Sequence, residues 1–365
     1  MESSLFYTKP QIMKKLIIAL IGLFSIFSCQ EPDDFQLTKD CEVSSEIVAP
    51  KGFEINLLKT IQFNGNLMEV QFIDETTGYI LGGNNVGGYA DVFKTIDGGR
   101  TWKNMEIASR EVPRNMFFLN EQVGFISFYG SNGNLLKTSD GGKSWDKLSY
   151  SDLNGMMYHM QKDSEDNIYS IITDLNSETL LLKSSDTAQT WQVINDSPDL
   201  DFDLVTFSFK IFDDTIYIAG ADGKLIITDI HGNQQNMIQT GLTSFKDVHV
   251  VDGDNLVITG SAKTIKSSDG GLNWIDIYER SSRIINFNNP EAGMMILNKS
   301  YCPSDVYQSN DVLAFTDDGG SSWVESLPVT NMISRYSDHV ILSPNRYLIL
   351  FGNSLYELIH RKPSN

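Results

Sequence analysis

Apolar residues in this chain come in short runs that alternate with polar ones and are broken by turns rich in Gly, Asp and Asn. Met68 to Phe72 and Gly78 to Leu81 form one pair of runs, and Met116 to Leu119 and Gly124 to Ser127 form the next. A period of two over so few residues predicts β-strands, joined by the intervening turns into antiparallel hairpins. After each pair comes a third run, an eight-residue turn phrase and a fourth run; Leu135 to Lys137 precedes the second phrase and Trp145 to Leu148 continues from it.

The phrase reads Thr95-Ile96-Asp97-Gly98-Gly99-Arg100-Thr101-Trp102 at its first occurrence. It returns with Asp140 and Trp145, Asp186 and Trp191, Asp269 and Trp274, and Asp318 and Trp323, so all five tryptophans close a copy of it. Successive tryptophans lie 43, 46, 83 and 49 residues apart. A repeat of about 40 to 50 residues predicts a propeller or solenoid, and four short strands per repeat select the propeller blade. In the turn, hydroxyl and carboxylate oxygens accept backbone N–H groups, glycines take positive φ, and Trp begins the next strand as an apolar plug. Asp97, Asp140, Asp186, Asp269 and Asp318 are therefore read as structural, not catalytic.

The 83-residue gap holds one further blade. Thr215 to Ala219 and Lys224 to Ile227 are its strands, Thr228-Asp229 stands at the phrase position, and its tryptophan is lost near Gln235. After Trp323 the runs Asp338 to Ile341, Arg346 to Leu350 and Leu355 to Ile359 give three strands where a blade needs four. Phe53 to Ile61 supplies the missing one, predicting an all-β, seven-bladed propeller over residues 52–361, closed by its N-terminal strand. Six blades, with the last strands packed outside, is the alternative.

The phrase Ser/Thr-x-Asp-x-Gly-x-Thr/Ser-Trp resembles the Asp-box, or BNR repeat, and covers nearly the whole domain. The third copy lacks both glycines and the fourth has Asn273 for Ser/Thr. With Asp-Gly-Gly and blades of this length, the chain looks most like the photosystem II stability and assembly factor type, which implies the fold and a binding role. Asp-boxes also occur in sialidases and xyloglucanase-type glycoside hydrolases. The Phe/Tyr-Arg-Ile-Pro motif of sialidases is absent, and the xyloglucanase type usually pairs two propellers where this chain has length for one.

The N-terminus changes the picture of where the domain works. Met13-Lys14-Lys15, the apolar run Leu16 to Phe27 and Ser28-Cys29 read as a signal peptide over residues 1–28, with residues 1–12 an over-extended start. Ile26-Phe27-Ser28-Cys29 resembles a bacterial lipobox, which makes Cys29 the lipidated residue; ordinary signal cleavage is the alternative. Residues 29–51 read as a polar tether and 362–365 as a tail. Acidic residues after Cys29 look like surface-export signals of Bacteroidetes lipoproteins, so the outer membrane or cell surface of a Gram-negative bacterium is the expected location. Cys41 and Cys302 remain as two thiols or one bridge.

Formal charge is −19 over the 365 residues, and removing a leader of net +2 leaves about −21. Such a chain repels phosphate backbones, which argues against nucleic acid; the membrane is expected only through the lipid. The five histidines are scattered, so no metal and no cofactor are expected. Up-and-down blades put every Asp-box on one side, and binding is expected on the other. Two polar stretches read there as long loops, Gly82 to Asp91 with Asn84, Asn85 and Tyr89, and Asn298 to Asn310 with Tyr301 and Tyr307. Arg114, Arg283 and Arg335 recur where innermost strands begin, as a carboxylate- or sulfate-binding patch or as local loop caps. These residues make a binding module for a protein or glycan partner the first reading. A glycoside hydrolase is the second, to be recognised by two converging acids about 5 to 9.5 Å apart.

Overall fold

The computed structural model describes residues 49, 52–84, 89–107, 109–129, 134–151, 153, 155–174, 179–195, 209–300, 309–326, 336–343 and 345–361. The leader, Cys29, Cys41, the tether, Asn85, Tyr301, Cys302, Tyr307, Arg335 and the tail lie outside these residues.

Seven antiparallel four-stranded sheets form a seven-bladed β-propeller. Blade 1 runs Asn66–Phe72, Gly78–Asn84, Tyr89–Thr95 and Lys103–Asn104, and blade 2 runs Pro113–Phe118, Gly124–Phe128, Leu135–Thr138 and Asp146–Leu148. Blades 3 to 6 repeat the pattern with innermost strands Gly155–Lys162, Phe209–Phe212, Phe245–Val250 and Ser282–Phe287. Blade 7 takes Tyr336–Ser343, Arg346–Phe351 and Ser354–His360 from the C-terminus and its outermost strand, Phe53–Thr60, from the N-terminus. Phe53 faces His360 and Thr60 faces Ser354 across that seam, so the last sheet edge is paired and the ring is closed.

Apolar cores lie between blades as well as within them, because each strand alternates its side chains toward the two neighbouring sheets. Tyr79 of blade 1 stacks on Phe118 of blade 2 in one such core. The tryptophans are half-buried rather than complete plugs, and each sits where its turn meets the preceding blade. The indole N–H of Trp323 shows the reason: it bonds both Gly320 of its own turn, at 3.1 Å, and Ile277 of blade 5, at 2.9 Å.

The fourth blade's turn locates the lost tryptophan beside the expected Gln235. Asp229 holds Asn233 through both backbone and side chain, each at 2.9 Å, four residues on, as the Asp of every other turn does. The next residue is Gln234, which stands one place before Gln235.

A correction concerns the described ends of the two expected loops. Asn84 pairs with Tyr89, and Ser300 pairs with Ser309. Gly82 to Asn84 with Tyr89 to Asp91, and Asn298 to Ser300 with Ser309 and Asn310, are therefore paired strand, since polar side chains do not stop a backbone ladder that already has its register.

Candidate functional site

The repeated turns are closed systems. In the first, Thr95 donates to Asp97 at 2.8 Å and accepts the Gly99 N–H at 3.0 Å. Asp97 accepts the Thr101 N–H at 2.9 Å and the Thr101 hydroxyl at 2.6 Å. That hydroxyl, then that N–H, hold the Asp97 carboxyl down at about 2, and the equivalent Ser144 groups do the same for Asp140. Each Asp-Gly-Gly turn also bonds back to the hairpin turn between its blade's first two strands, as Gly98 to Thr76 and Gly141 to Gln122. Both turns thus share one face, and both oxygens of Asp97 accept hydrogen bonds within the turn.

A lysine missed in the sequence reading extends this frame between blades. Lys94, Lys137, Lys183 and Lys266 each stand one residue before the phrase. Lys137 donates to Thr187 O at 2.7 Å in the next blade and lies 5.7 Å from the Phe125 ring, and the other three repeat the arrangement. The constant Lys-Ser/Thr step was the available signal.

The opposite face is built from the starts of the innermost strands. Near its start, the strand of blade 1 is bulged at Met68, blade 2 at Arg114, blade 5 at Lys246, blade 6 at Arg283 and blade 7 at Ser337. A bulge turns its extra residue out of the ladder, and at two of these places the residue is a basic one with a described side chain, Arg114 and Lys246. Arg114 and Lys246 are exposed, and the Arg114 guanidinium lies 5.2 Å from the Tyr158 ring of blade 3. Lys246 had no signal in the sequence, because a bulge is a matter of register. Tyr89 hydrogen-bonds Asn64 and packs edge-on against Phe63, both on the segment that joins the closing strand to blade 1. Asn84 ends its strand, and Arg283 lies on the strand of blade 6.

Along the axis, polar side chains solve a different problem. An innermost strand has a free edge, and its N–H groups need acceptors. Asp338 accepts the Val70 N–H at 2.8 Å, Glu69 that of Met116 at 2.6 Å, Gln71 that of Phe118 at 2.7 Å and Gln161 that of Ile211 at 3.0 Å. Each bond runs from one blade to the next. Burial, then the nearby Asp338 charge, pushes Glu69 up to about 8, and burial pushes Asp338 up to about 7. The Asp338 side chain keeps 25% of its surface open. That surface faces a space enclosed by the blades, so the carboxyl still loses most of its hydration.

His159, His249 and His339 lie in the same region. Burial lowers His249 to about 4 and, with the Lys210 charge, His339 to about 3, which keeps both neutral, whereas His159 is exposed. Among the described residues no group of three or more His, Cys, Asp or Glu is placed to hold a metal ion.

Comparison with known proteins finds no match among curated sequences. Among solved structures, YCF48 bound to D1 peptide superposes with a TM-score of 0.64 at 17% identity, covering 87% of this chain and 99% of its own. YCF48 from Cyanidioschyzon merolae gives 0.62 at 11% identity, covering 85% and 99%. The GH74 xyloglucanase from Xanthomonas campestris gives 0.59 at 11% identity, covering 84% of this chain but 53% of its own. The family model of the photosynthesis system II assembly factor YCF48 matches residues 54–194, the closing strand and first three blades, and these neighbours share the β-propeller fold of the chain.

Proposed function

We propose that this propeller is a binding module without chemistry of its own, holding a segment of a protein partner on the face opposite the repeated turns. The observation that carries the reading is the row of bulges that brings Arg114 and Lys246 to the channel mouth of a chain with net charge −19, with Arg283 at the same backbone position. Basic groups on an acidic body select acidic or carboxylate-bearing partners over other surfaces. The YCF48 neighbour with a bound D1 peptide is consistent with a protein ligand on such a ring. A lipid on Cys29 and the tether behind it would keep the module at the outer membrane of a Gram-negative cell. A glycan is the other ligand class that suits the site.

The test is capture from intact cells with the full chain. A partner retained by the wild type, lost by Arg114→Glu with Lys246→Glu and unaffected by Asn56→Ala on the outermost strand of blade 7 supports the reading; equal retention by all three overturns it. Release of Cys29→Ala from the membrane fraction tests the anchor separately.

The GH74 likeness and the two raised acids favour glycoside hydrolysis as the second reading. Against it, Glu69 and Asp338 each already hold a backbone N–H of the next blade. Sugar release from a glycan panel that Glu69→Gln or Asp338→Asn abolishes would replace the binding reading.

A further inference from the structure

Six blades carry a repeated turn, and at five of the joints leading into them a cation of the preceding blade lies against that turn. Lys94, Lys137, Lys183 and Lys266 bond backbone carbonyls of blades 2, 3, 4 and 6, and the Arg346 guanidinium of blade 7 lies beside Gly98 of blade 1. The joint from blade 4 to blade 5 is the exception. There Ile227 holds the lysine's register place, opposite Tyr217 as Lys94 is opposite Tyr79 and Lys183 opposite Tyr169.

The surroundings that a lysine meets elsewhere are kept at this joint. A methyl group on the first glycine of the turn would lie 2.7 Å from Glu121 O and 2.8 Å from Lys94 Nζ at Gly141, and 3.2 Å from Pro290 O and 3.0 Å from Lys266 Nζ at Gly319. At Gly270 it would lie 3.5 Å from Gly253 O, with no described cation beside it. Gly253 is thus the counterpart of Glu121 and Pro290, and neither its carbonyl nor that of Gly270 accepts a hydrogen bond among the described residues. Tyr217 is 6% exposed, and its hydroxyl has no hydrogen bond among the described residues, whereas Tyr79 donates to Glu121 O at 2.9 Å and Tyr169 to Ile230 O at 3.2 Å. Burial, then the charges of Asp213, Asp252 and Asp254, pushes the Tyr217 hydroxyl up and keeps it neutral. Asp213 and Asp254 make no ion pair among the described residues, so acceptors and negative charge meet here without the cation that answers them at the other joints.

We infer that the joint between blades 4 and 5 binds a monovalent cation of ammonium size, a potassium or ammonium ion or a protonated primary amine, at the Gly253 and Gly270 carbonyls and the Tyr217 hydroxyl. Isoleucine stops two bonds short of a lysine's nitrogen and carries no donor, so Ile227, which packs with Tyr217, covers only the apolar part of the cradle. The ligand takes the role of Lys94, whose ammonium bonds Glu121 O and lies 5.0 Å from the Tyr79 ring. No three of the acids converge as metal ligands among the described residues, which favours a monovalent ion over a divalent one. The ion belongs to the frame of the ring and does not depend on what docks at the mouth.

The test is thermal unfolding of the full chain in potassium, ammonium, methylammonium or sodium chloride at one ionic strength. A saturable rise of the midpoint with the first three and none with sodium, which is smaller and more tightly hydrated, is expected. Half-saturation at lower methylammonium than potassium identifies an amine as the ligand, and the reverse order identifies the bare ion. Ile227→Lys is the decisive variant, because blades 1, 2, 3 and 5 already fold with a lysine at this register place. It should raise the midpoint in sodium chloride and remove the response to potassium, while Ile227→Leu responds as the wild type does. Tyr217→Phe keeps the ring and should raise the half-saturating concentration about tenfold through the lost oxygen. Equal midpoints in all four salts, a response that calcium reproduces, a response that persists in Ile227→Lys, or an unchanged half-saturation in Tyr217→Phe overturns the inference.

Discussion

The two faces of this ring handle polar groups in opposite ways. On the turn face each hydroxyl and carboxylate is satisfied within its own eight residues, and the pattern repeats with little change, as the Thr95–Asp97–Thr101 and Thr138–Asp140–Ser144 sets show. On the mouth side the same strand position holds Met68, Arg114, Lys246, Arg283 or Ser337. Repetition with closed hydrogen bonding marks scaffold, and variation at one geometric place marks the surface that makes this propeller different from another.

The sharpest way to break the scaffold half of that comparison is Thr138→Val. It keeps the shape but removes the acceptor of the Gly142 N–H and the donor to Asp140 inside a buried turn. A loss of about 2 kcal/mol is expected in chemical denaturation. A smaller effect of opposite sign is expected in blade 3, where Thr187 and Ala188 hold φ of 56° and 60° in place of the two glycines. Positive φ strains a β-branched residue, so Thr187→Gly should gain about 1 kcal/mol in the same measurement.

Smaller still is the pH effect along the axis. Glu69 and Asp338 have raised carboxyls, so their stabilising contribution is complete below the ordinary carboxylate range and is lost as pH rises through about 8 and about 7. His249 and His339 act at the other end: their contribution is complete above the ordinary 6.5 and is lost as pH falls through about 4 for His249 and about 3 for His339. Glu69→Gln, which can still accept the Met116 N–H, should flatten the decline in denaturation midpoint between pH 5 and pH 8 and leave the acid limb unchanged.

Much of this was legible in the residues themselves. Tryptophan spacing gave the blade count, and the unpaired run from Phe53 gave the closing strand, because both depend on local pattern. The ladder pairs at Asn84 and Ser300 were not legible, since a polar, Gly-rich run looks the same whether or not its backbone stays in register. Lys246 was hidden for a related reason: its meaning comes from a bulge, which is not local. The lysine before four of the five phrases was visible but reads as an ordinary solvated charge until the next blade is in place.

The central claim is that partners dock on the mouth face and that the turn face is scaffold. Hydrogen exchange of the full chain with and without a captured partner tests it most directly. Slowed exchange at Arg114 to Met116, Lys246 to Val248 and Arg283 to Ile285, with no change at Asp97 to Thr101 or Asp140 to Ser144, is the predicted result. Protection concentrated on the turns, with the bulged strand starts unchanged, would contradict it.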